Sequence, residues 1–512
     1  MTSHLTRNRL VATVAILLVL AQPACSQVQP EADLLIQHAT LLSPERGAPL
    51  EDAWISVTDG RITGVGTGAP ALTAARTIDA SNAYLTPGLI DSHVHLYHAT
   101  GLRRSYTDQF SALYRDYMEQ QPRSFLFYGF TTLVELNADA ETNARFEAAP
   151  VHPNLVHCGQ GVALSDGFMA LEAEGAPIGD IYPGYLIDSH AGGLVPEGAD
   201  PAAHTPRAVV DSVISQGGQC IKLYYEEALW WPGGAPDFRL PSVEIVRDVV
   251  REAHAQGLPV VLHATTPAGH AFAVESGIDI LAHGMWEWTG QSFTAPAPSA
   301  TTAAIADRVT EAGIATQPTF QTIRNTASLF DSSVLADPAW QDVVPAAYLD
   351  YLRSDAQAQR QLFVDRFGGA VLEGAPSGMD MADAQQAFFN RYETLIGSMA
   401  ARGEPLLFGS DTAVGGFGWA SPPGLAGHWE MQNWTRAGIS LDTLFRSLTL
   451  DNAEAFGLAS EIGTIELGKK ADLLILRANP LQDVMAYDSI EMLVLNGVVI
   501  NRPSLAADNV AE

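Results

Sequence analysis

The sequence has little positive charge, few cysteines and a single apolar run that approaches the length of a membrane span. Its 512 residues include 28 lysines and arginines against 58 acids, a formal net charge of −30. Nucleic-acid binding requires a basic surface, so this balance excludes a nucleic-acid partner. An acidic exterior of this kind favours solubility and indicates a small-molecule substrate rather than a polyanion.

The apolar run lies at the N-terminus, where Arg7 and Arg9 precede residues 10–20. It is shorter than the roughly 20 residues that cross a bilayer, and the pattern is typical of a secretory signal peptide, predicted here over residues 1–26. Removing that segment takes away two arginines and no acid, which leaves 26 bases against 58 acids and a charge of −32. We therefore expect an exported protein, periplasmic or extracellular, without a membrane span. Cys25 is an alternative site of lipid attachment.

Only Cys158 and Cys220 remain after the predicted processing. Two cysteines exclude a zinc site built from cysteine alone. Each lies in an apolar, strand-like segment, where cysteine is an ordinary small core residue. Export also permits a disulfide between them, but their number does not require one.

Both ends of the chain show short β-like runs separated by tight turns. Asp59-Gly60 follows one such run in residues 33–85, and Asn496-Gly497 separates two runs in residues 459–502. Dipeptides of this kind between β-branched runs are strong hairpin signals. Neither segment is large enough for a core of its own, so we expect them to fold together into one β-sandwich.

Between these ends, residues 86–458 alternate strand-like and helix-like segments, which predicts a parallel sheet. After a first strand that ends near His95, the predicted strands are residues 130–136, 154–158, 219–225, 258–263, 279–283, 314–317 and 405–411. Ser242 is placed to cap one connecting helix that ends at Gly257, and Thr266-Pro267 begins another that ends at Gly277. Eight such strands with helical returns predict a (β/α)8 TIM barrel.

Residues 320–402 are too long for a single helical return. The segment contains helical runs and follows the seventh predicted strand, so it is expected to form a helical insertion over the barrel mouth that shapes a substrate pocket. A helical insertion at the periphery of the barrel is the alternative.

Ligand-type side chains fall at the carboxyl ends of the predicted strands. His93 and His95, one residue apart, project from the same side of the first strand, since strand side chains alternate with period two. The others follow strands four, five, six and eight, and they are Lys222, His263, His283 and Asp411. This is the face on which barrel active sites are built. Imidazole and carboxylate ligands suit zinc and neighbouring divalent metals.

Taken singly, most of these residues have a structural interpretation. His263 and His283 are each compatible with a core histidine that has its hydrogen bonds satisfied, and Asp411 with a helix cap. Lys222 is harder to explain in this way, because an ammonium group in an apolar strand is costly unless it is paired or chemically changed. Carboxylation by carbon dioxide would turn its side chain into an anion able to bridge two cations.

The run Pro87-Gly88-Leu89-Ile90-Asp91-Ser92-His93-Val94-His95, with the downstream lysine, two histidines and aspartate, resembles the amidohydrolase superfamily. The run Gly463-Thr464-Ile465-Glu466-Leu467-Gly468-Lys469-Lys470-Ala471-Asp472-Leu473 resembles the stretch with which such chains return to their β-sandwich. The similarity extends over residues 33–502, and it is nearest to the imidazolonepropionase-related branch, which includes Xaa-Pro dipeptidases.

The resemblance implies a two-metal site with two divalent ions, most simply zinc. His93, His95 and Asp411 would bind the more buried ion, and His263 and His283 the second, with carboxylated Lys222 bridging them. Imidazolonepropionase itself has one metal and lacks that lysine, so Lys222 favours the two-metal members. Asp411 would also be the catalytic acid–base group, while the metals activate water and polarise the substrate carbonyl.

For the substrate, the sequence offers candidates rather than an identity. Tyr224, Tyr225, His157 and His428 lie at or near strand ends on the predicted mouth, and Trp230-Trp231 could form an aromatic wall. Core or rim packing is the alternative for each tyrosine, and pairing with Glu430 is the alternative for His428. We expect hydrolysis of an amide bond in dipeptides or N-acyl amino acids. The alternatives are cyclic amides, lactones or carbamates at the same site, or an exported protein that binds metal or carbohydrate without catalysis. The sequence does not indicate an oligomeric state.

Overall fold

The computed structural model describes residue 1 and residues 31–102, 109–170, 176–228, 238–413 and 419–508. The predicted signal peptide with Cys25, and Trp230-Trp231, lie outside these ranges. Within them, no helix combines the length and the apolar composition that crossing a membrane requires.

The strands lie in three groups along the chain. In order they are β1 (Glu31–Leu41), β2 (Leu50–Thr58), β3 (Arg61–Thr67), β4 (Thr73–Asp79), β5 (Tyr84–Pro87), β6 (Leu89–Val94), β7 (Phe130–Glu135), β8 (Asn154–His157), β9 (Ile221–Tyr225), β10 (Val260–Ala264), β11 (Ile280–Ala282), β12 (Ala315–Gln317), β13 (Leu473–Leu476), β14 (Ile490–Leu495) and β15 (Val498–Asn501). The first and last groups come from the two ends of the chain.

The helices alternate with the central strands. They are α1 (Ser111–Phe127), α2 (Ala140–Glu147), α3 (Ile178–Ile181), α4 (Pro206–Ser215), α5 (Val243–Ala255), α6 (Pro267–Ser276), α7 (Ala300–Ala312), α8 (Phe320–Ser328), α9 (Trp340–Val343), α10 (Ala346–Leu372), α11 (Met381–Ala401), α12 (Leu425–Arg436), α13 (Leu441–Arg446) and α14 (Asn452–Ala455).

Strands from both chain ends pair in one eight-stranded sheet, in the order β15-β14-β13-β5-β1-β2-β3 with β4 beside β1. The predicted hairpins are present, because Asp59-Gly60 joins β2 to β3 and Asn496-Gly497 joins β14 to β15. All four turn residues have positive φ, which is the conformation that a tight hairpin turn requires. The chain ends therefore meet as expected, while a sandwich of two sheets stays a prediction.

The central strands are parallel and form two sheets, β6-β7-β8 and β12-β11-β10-β9. The eighth predicted strand, residues 405–411, is joined to its neighbours by an isolated bridge from Leu406 to Thr316 and, just beyond its end, by one from Thr412 to Val94, with backbone hydrogen bonds such as Ser92 N to Phe408 O at 3.0 Å. Side chains make further hydrogen bonds to the backbone of this segment: Asp91 accepts from Ser410 N at 2.9 Å, and Asn452 donates to Phe408 O at 2.8 Å. The mixed α/β class is confirmed, and the closed eight-stranded barrel stays a prediction.

Two helices between the parallel strands begin and end as the sequence predicts. The Ser242 side chain accepts from Ile245 N at the start of α5, whose apolar residues lie buried against the sheet. Thr266 caps α6, Pro267 is its first residue, and Gly277 ends it with φ 79°. These caps satisfy backbone N–H groups that a helix end otherwise leaves unpaired.

The segment 320–402 is helical, as predicted, and forms α8 to α11. α8 packs against both α11 and α12. Glu430 on α12 accepts from Phe320 N at 3.1 Å and Gln321 N at 2.7 Å, and so holds the first turn of α8. The insertion is thereby fixed over the carboxyl ends of the strands.

Cys158 and Cys220 are both buried and form a disulfide across 62 residues of sequence. Cys158 follows β8, and Cys220 precedes β9. The bond, together with the hydrogen bond from Gln219 N to His157 O at 2.8 Å, links the two parallel sheets at this point. Of the two alternatives that the sequence left open, the structure contains the disulfide.

Loss of this disulfide is expected to lower the free energy of unfolding by about 4 kcal/mol, the loop-closure value for a loop of this size. The measurement is chemical denaturation of the wild type with and without reductant, beside the double variant Cys158→Ala/Cys220→Ala. The double variant should resemble the reduced wild type and respond no further to reductant. Equal stability of oxidised and reduced wild type would contradict this expectation.

Candidate metal centre

His93, His95 and Asp411 converge at the end of β6. The Nε2 atoms of His93 and His95 each lie 3.2 Å from Asp411 Oδ1. One potential ligand atom from each residue lies within 4.8 Å of the other two. His93 is fully buried, and the His95 side chain is 16% exposed. Two imidazoles and a carboxylate at this spacing fit a divalent metal of the zinc type.

Asp411 is fixed by contacts on both sides of its carboxylate. Its backbone N–H donates to His93 O at 2.8 Å, which ties the residue to the end of β6. The Thr322 hydroxyl on α8 donates to Asp411 Oδ2 at 2.9 Å, while Oδ1 lies toward the two histidines. Asp411 has φ 55°, a conformation that non-glycine residues adopt at a cost and that is found frequently at functional sites.

His263 and His283 continue the cluster toward the neighbouring strands. Their ring centroids lie 4.8 Å apart, and the His283 ring lies 5.1 Å from the His93 ring. His263 Nε2 lies 2.8 Å from a carboxylate oxygen of Glu226, and His283 Nδ1 lies 2.7 Å from the Thr319 hydroxyl. These contacts leave His263 Nδ1 and His283 Nε2 for a ligand. A hydrogen bond that fixes one ring nitrogen and orients the other is typical of metal-binding histidines.

Lys222 lies on β9, beside the β10 strand that carries His263. The side chain is among the largest that the fold buries completely. Burial lowers the pKa of Lys222 to about 7, against the opposing attraction of Asp411 and Glu135. A large share of this amine is therefore neutral near pH 7, which is the form that reacts with carbon dioxide.

The electrostatic surroundings keep two of the histidines neutral. Burial lowers the pKa of His93 to about 3 and that of His283 well below its ordinary value. Burial also disfavours a charge on His95, but hydrogen bonds to Asp411 and Glu135 outweigh it and raise the pKa of His95 to about 9. Metals bind the neutral imidazole, so His93 and His283 are already in the required form.

Two buried carboxylates at this site were absent from the sequence prediction. Glu135, at the end of β7, lies 3.4 Å from His95 Nδ1 and accepts from Asn137 N and Leu96 N. Glu226 follows β9 and contacts His263. A sequence signal for Glu226 did exist, because period-two alternation places residues 222, 224 and 226 on the same side of one strand. Glu135 likewise ends a predicted strand.

Alternation also separates the two predicted substrate tyrosines. Tyr224 lies on the Lys222 side of β9, with the Lys222 Nζ 5.7 Å and the His263 ring 6.0 Å from its ring centroid. Tyr225 points to the opposite side, where its ring lies 4.7 Å from Phe272 of α6. The structure therefore brings Tyr224 to the metal ligands and packs Tyr225 between strand and helix.

The other two predicted substrate residues make contacts away from the six ligand residues. His157 Nδ1 accepts from Gly159 N at 3.1 Å. His428 stacks on Tyr128 at 5.2 Å between centroids, and its Nε2 lies 3.2 Å from Asp488, close to the C-terminal strands. Their assignment to the substrate stays a prediction, and the contacts of His428 are those of a packed histidine at a junction between chain segments.

A cavity of about 310 Å³, here called the site cavity, opens beside the cluster and reaches His263, His283 and Asp411. Much of its wall comes from the insertion. The side chains that α8, α10 and α11 contribute are Thr322, Ile323, Thr326, Phe363, Phe367, Ala370, Val371, Gln385 and Phe388. Of the two positions predicted for the insertion, the one over the mouth is supported.

Thr322→Val is expected to lower kcat by about tenfold with little change in KM or metal content. Valine keeps the shape of threonine but cannot donate to Asp411, so the carboxylate loses the contact that orients it. Steady-state kinetics with metal analysis provides the test, and Thr322→Ser, which keeps the hydroxyl, is the matched control. Equal rates for the serine and valine variants would show that the hydrogen bond does not position Asp411.

The fold and the cluster define a class: an α/β protein that gathers metal-type ligands at the carboxyl ends of parallel strands. Comparison with known proteins specifies it further. Two protein-family sequence models, both described as "Amidohydrolase family", match this chain, one over residues 223–501 and the other over residues 84–288. The chain belongs to the amidohydrolase family, a family of hydrolases, as the sequence motifs predicted.

Individual solved structures match this chain over most of its length, whereas the curated relative matches it over a short stretch of sequence. A Xaa-Pro dipeptidase crystallised with methionine in its active site matches with TM-score 0.61 and 18% identity, over 91% of this chain and 99% of that one. Molinate hydrolase matches with TM-score 0.62 and 18% identity, over 93% and 96%. Imidazolonepropionase of Methylobacterium sp. (strain 4-46) is 43% identical over 72 residues, 13% of this chain and 18% of that protein. The chain thus spans under a fifth of that curated relative, and the structural matches show the fold.

Proposed function

We propose that this protein is an exported, two-metal hydrolase that cleaves an amide bond in a small molecule. The observation that carries the proposal is the clustering of six ligand-type side chains, from five segments of the chain, beside a cavity. They are His93, His95, Lys222, His263, His283 and Asp411. His263 and His283 each have one ring nitrogen hydrogen-bonded to a neighbour, and His93 is buried in the neutral form.

Two divalent ions, most simply zinc, fit this donor set and would supply a nucleophile at neutral pH and polarise the scissile carbonyl. His93, His95 and Asp411 would hold one ion, and His263 Nδ1 and His283 Nε2 the other. Lys222, on the strand next to that of His263 and within electrostatic range of Asp411, would bridge the two groups once carboxylated. Glu226 orients His263 through a hydrogen bond at Nε2, and Glu135 lies 3.4 Å from His95 Nδ1.

Asp411 has the position of the acid–base group. Its Oδ1 lies among the metal ligands, and its carboxylate lines the cavity in which a substrate would sit. It is therefore placed to accept a proton from the attacking water and to deliver it to the leaving nitrogen. Thr322 holds the other oxygen during the transfer.

Export is proposed from the signal-like N-terminus and is supported by the disulfide, since such bonds persist in oxidising compartments.

We also propose that the parallel strands close into a (β/α)8 barrel. The bridges of residues 406 and 412 to β12 and β6 support closure on one side. The hydrogen bond from Val162 N to Lys222 O supports it on the other.

A substrate panel tests the reaction. Protein loaded with zinc or manganese is assayed on dipeptides, N-acyl amino acids, carbamates and lactones. The proposal predicts cleavage of an amide in at least one of the first two classes. Rapid lactone cleavage without amide turnover would favour the alternative reaction at the same metals, and no turnover with no bound metal would favour a binding protein.

A further inference from the structure

The site cavity has an aromatic wall. Six of its lining residues are aromatic, namely Phe168, Trp286, Phe293, Phe363, Phe367 and Phe388. They come from the loop after β8, the loop after β11, and helices α10 and α11, so the wall surrounds the space rather than lining one side. Aromatic rings present a large, rigid apolar surface, which favours another ring or a bulky apolar group as the occupant.

The charged groups in this wall are acidic. Glu226 and Glu287 line the site cavity and are 3% and 2% exposed. Glu226 is fixed by His263 and by a hydrogen bond from Ala228 N at 2.5 Å. The backbone N–H of Glu287 donates to Thr265 O at 3.1 Å, and the Glu287 carboxylate accepts from Trp286 Nε1 at 3.3 Å.

Among the described residues, neither lysine nor arginine lines the site cavity. Arg391 does not line the cavity: it donates to Ser292 O at 2.6 Å and Trp286 O at 2.5 Å, and its charge interacts with that of Glu287. Its guanidinium carbon also lies 4.2 Å from the Trp288 ring centroid. A substrate carboxylate placed in this cavity would therefore lose its water and gain two acidic neighbours, with no lysine or arginine of the described lining to pair with it.

We propose that the site cavity accepts an uncharged aromatic or bulky apolar group of the substrate and that Glu287, with Glu226, excludes a carboxylate from that position. The inference rests on the proposed amide hydrolysis and specifies its substrate class. A dipeptide or N-acyl amino acid would have to keep its carboxylate outside the site cavity.

Two matched pairs of amides test this selectivity, each differing by one carboxylate. Phenylacetanilide is compared with its 4-carboxyphenylacetyl analogue, which varies the acyl side, and acetanilide with 4-acetamidobenzoate, which varies the amine side. For the pair whose variable group enters the site cavity, kcat/KM should favour the uncharged member by at least about 100-fold. Equal or better turnover of the charged member in both pairs would overturn the proposal.

Variants of the wall test the cause. Glu287→Gln should reduce the preference at least about fivefold in that same pair, because it removes the repelling charge without changing the size of the side chain. Ala370→Lys, at the half-exposed edge of the cavity on α10, should reduce it by adding a compensating charge. Glu311→Gln, on the exposed face of α7, is the matched control and should leave the preference unchanged. An unchanged preference in both cavity variants would overturn the role of the carboxylates.

The outcomes for the two proposals are separable. If the metal-loaded protein hydrolyses no amide at all, the proposed function fails. The compounds are then not consumed, and calorimetric titration of the wild type measures their binding directly. Tighter binding of the uncharged members would uphold the selectivity of the cavity, and equal or tighter binding of the charged members would overturn it.

Discussion

Replacing Asp411 with asparagine is expected to lower kcat at least about 1,000-fold while leaving the fold intact. Removal of a positioned acid–base group costs 10²- to 10⁴-fold, and here the same substitution also weakens a metal ligand. Asparagine keeps the shape of aspartate and the backbone hydrogen bond to His93 O, so the melting temperature should remain within a few degrees.

The measurement is single-turnover and steady-state kinetics at saturating metal, with Asp442→Asn as the control. Asp442 is exposed in the first turn of α13, so its substitution should leave kcat unchanged. An Asp411→Asn enzyme that retains near-normal rates would show that this carboxylate does not transfer the proton.

Replacing Lys222 with alanine should abolish measurable turnover and remove at least one metal ion per chain. Lys222 is buried on β9 beside the strand that carries His263, within electrostatic range of Asp411, and its carboxylated form would carry the bridging anion. Because its amine lies where burial brings the pKa to about 7, it is available for reaction with carbon dioxide without a further catalyst. Metal content by mass spectrometry and activity are measured together, with Lys470→Ala as the control.

Chemical rescue discriminates between the two roles that the buried lysine could have. If Lys222 acts as a carboxylated ligand, a short carboxylic acid such as acetate or propionate should restore part of the activity of Lys222→Ala by replacing the lost anion. If it acts as an ordinary ammonium group, a small alkylamine should restore activity and a carboxylic acid should not. The second pattern would refute the bridging role.

The clustering of the predicted ligand residues could be inferred from the sequence because strand geometry constrains it. In a parallel sheet, residues that follow successive strands meet at one edge, so His93, His95, Lys222, His263 and His283 could be grouped from strand positions alone. The same reasoning located Asp411, although the segment that carries it forms bridges rather than a full strand. Its place is kept by backbone hydrogen bonds, such as that from Asp411 N to His93 O, together with side-chain hydrogen bonds that sequence periodicity does not reveal.

The substrate side was less predictable, since it depends on long-range folding of the insertion. Thr322, Phe363 and Phe388 lie in residues 320–402, and no local pattern shows which face of these helices meets the strands. Tyr225 illustrates a different limit: it is adjacent to Tyr224, which lies near Lys222 and His263, but one residue along a strand reverses the side on which a side chain lies. His428 follows the eighth segment in sequence, yet it packs beside Tyr128.

The sequence also did not indicate the two carboxylates that contact the histidines, and the reason is physical. Glu135 lies beside Nδ1 of His95, and Glu226 contacts Nε2 of His263. These contacts depend on the orientation of the imidazole rings, which sequence spacing does not show. The disulfide also depends on the fold rather than on sequence spacing. Cys158 and Cys220 are 62 residues apart, and only the adjacency of β8 and β9 brings their sulfur atoms together.

The most direct test of the central claim is the metal content of the purified chain, measured together with amide hydrolysis. After reconstitution with zinc and removal of loosely bound ions, the account predicts two metal ions per chain in the wild type. It further predicts loss of one or both in His93→Asn and in His263→Asn, with hydrolysis falling in parallel. A wild-type chain that cleaves amides with no bound metal, or that binds metal without needing His93 and His263, would contradict the account.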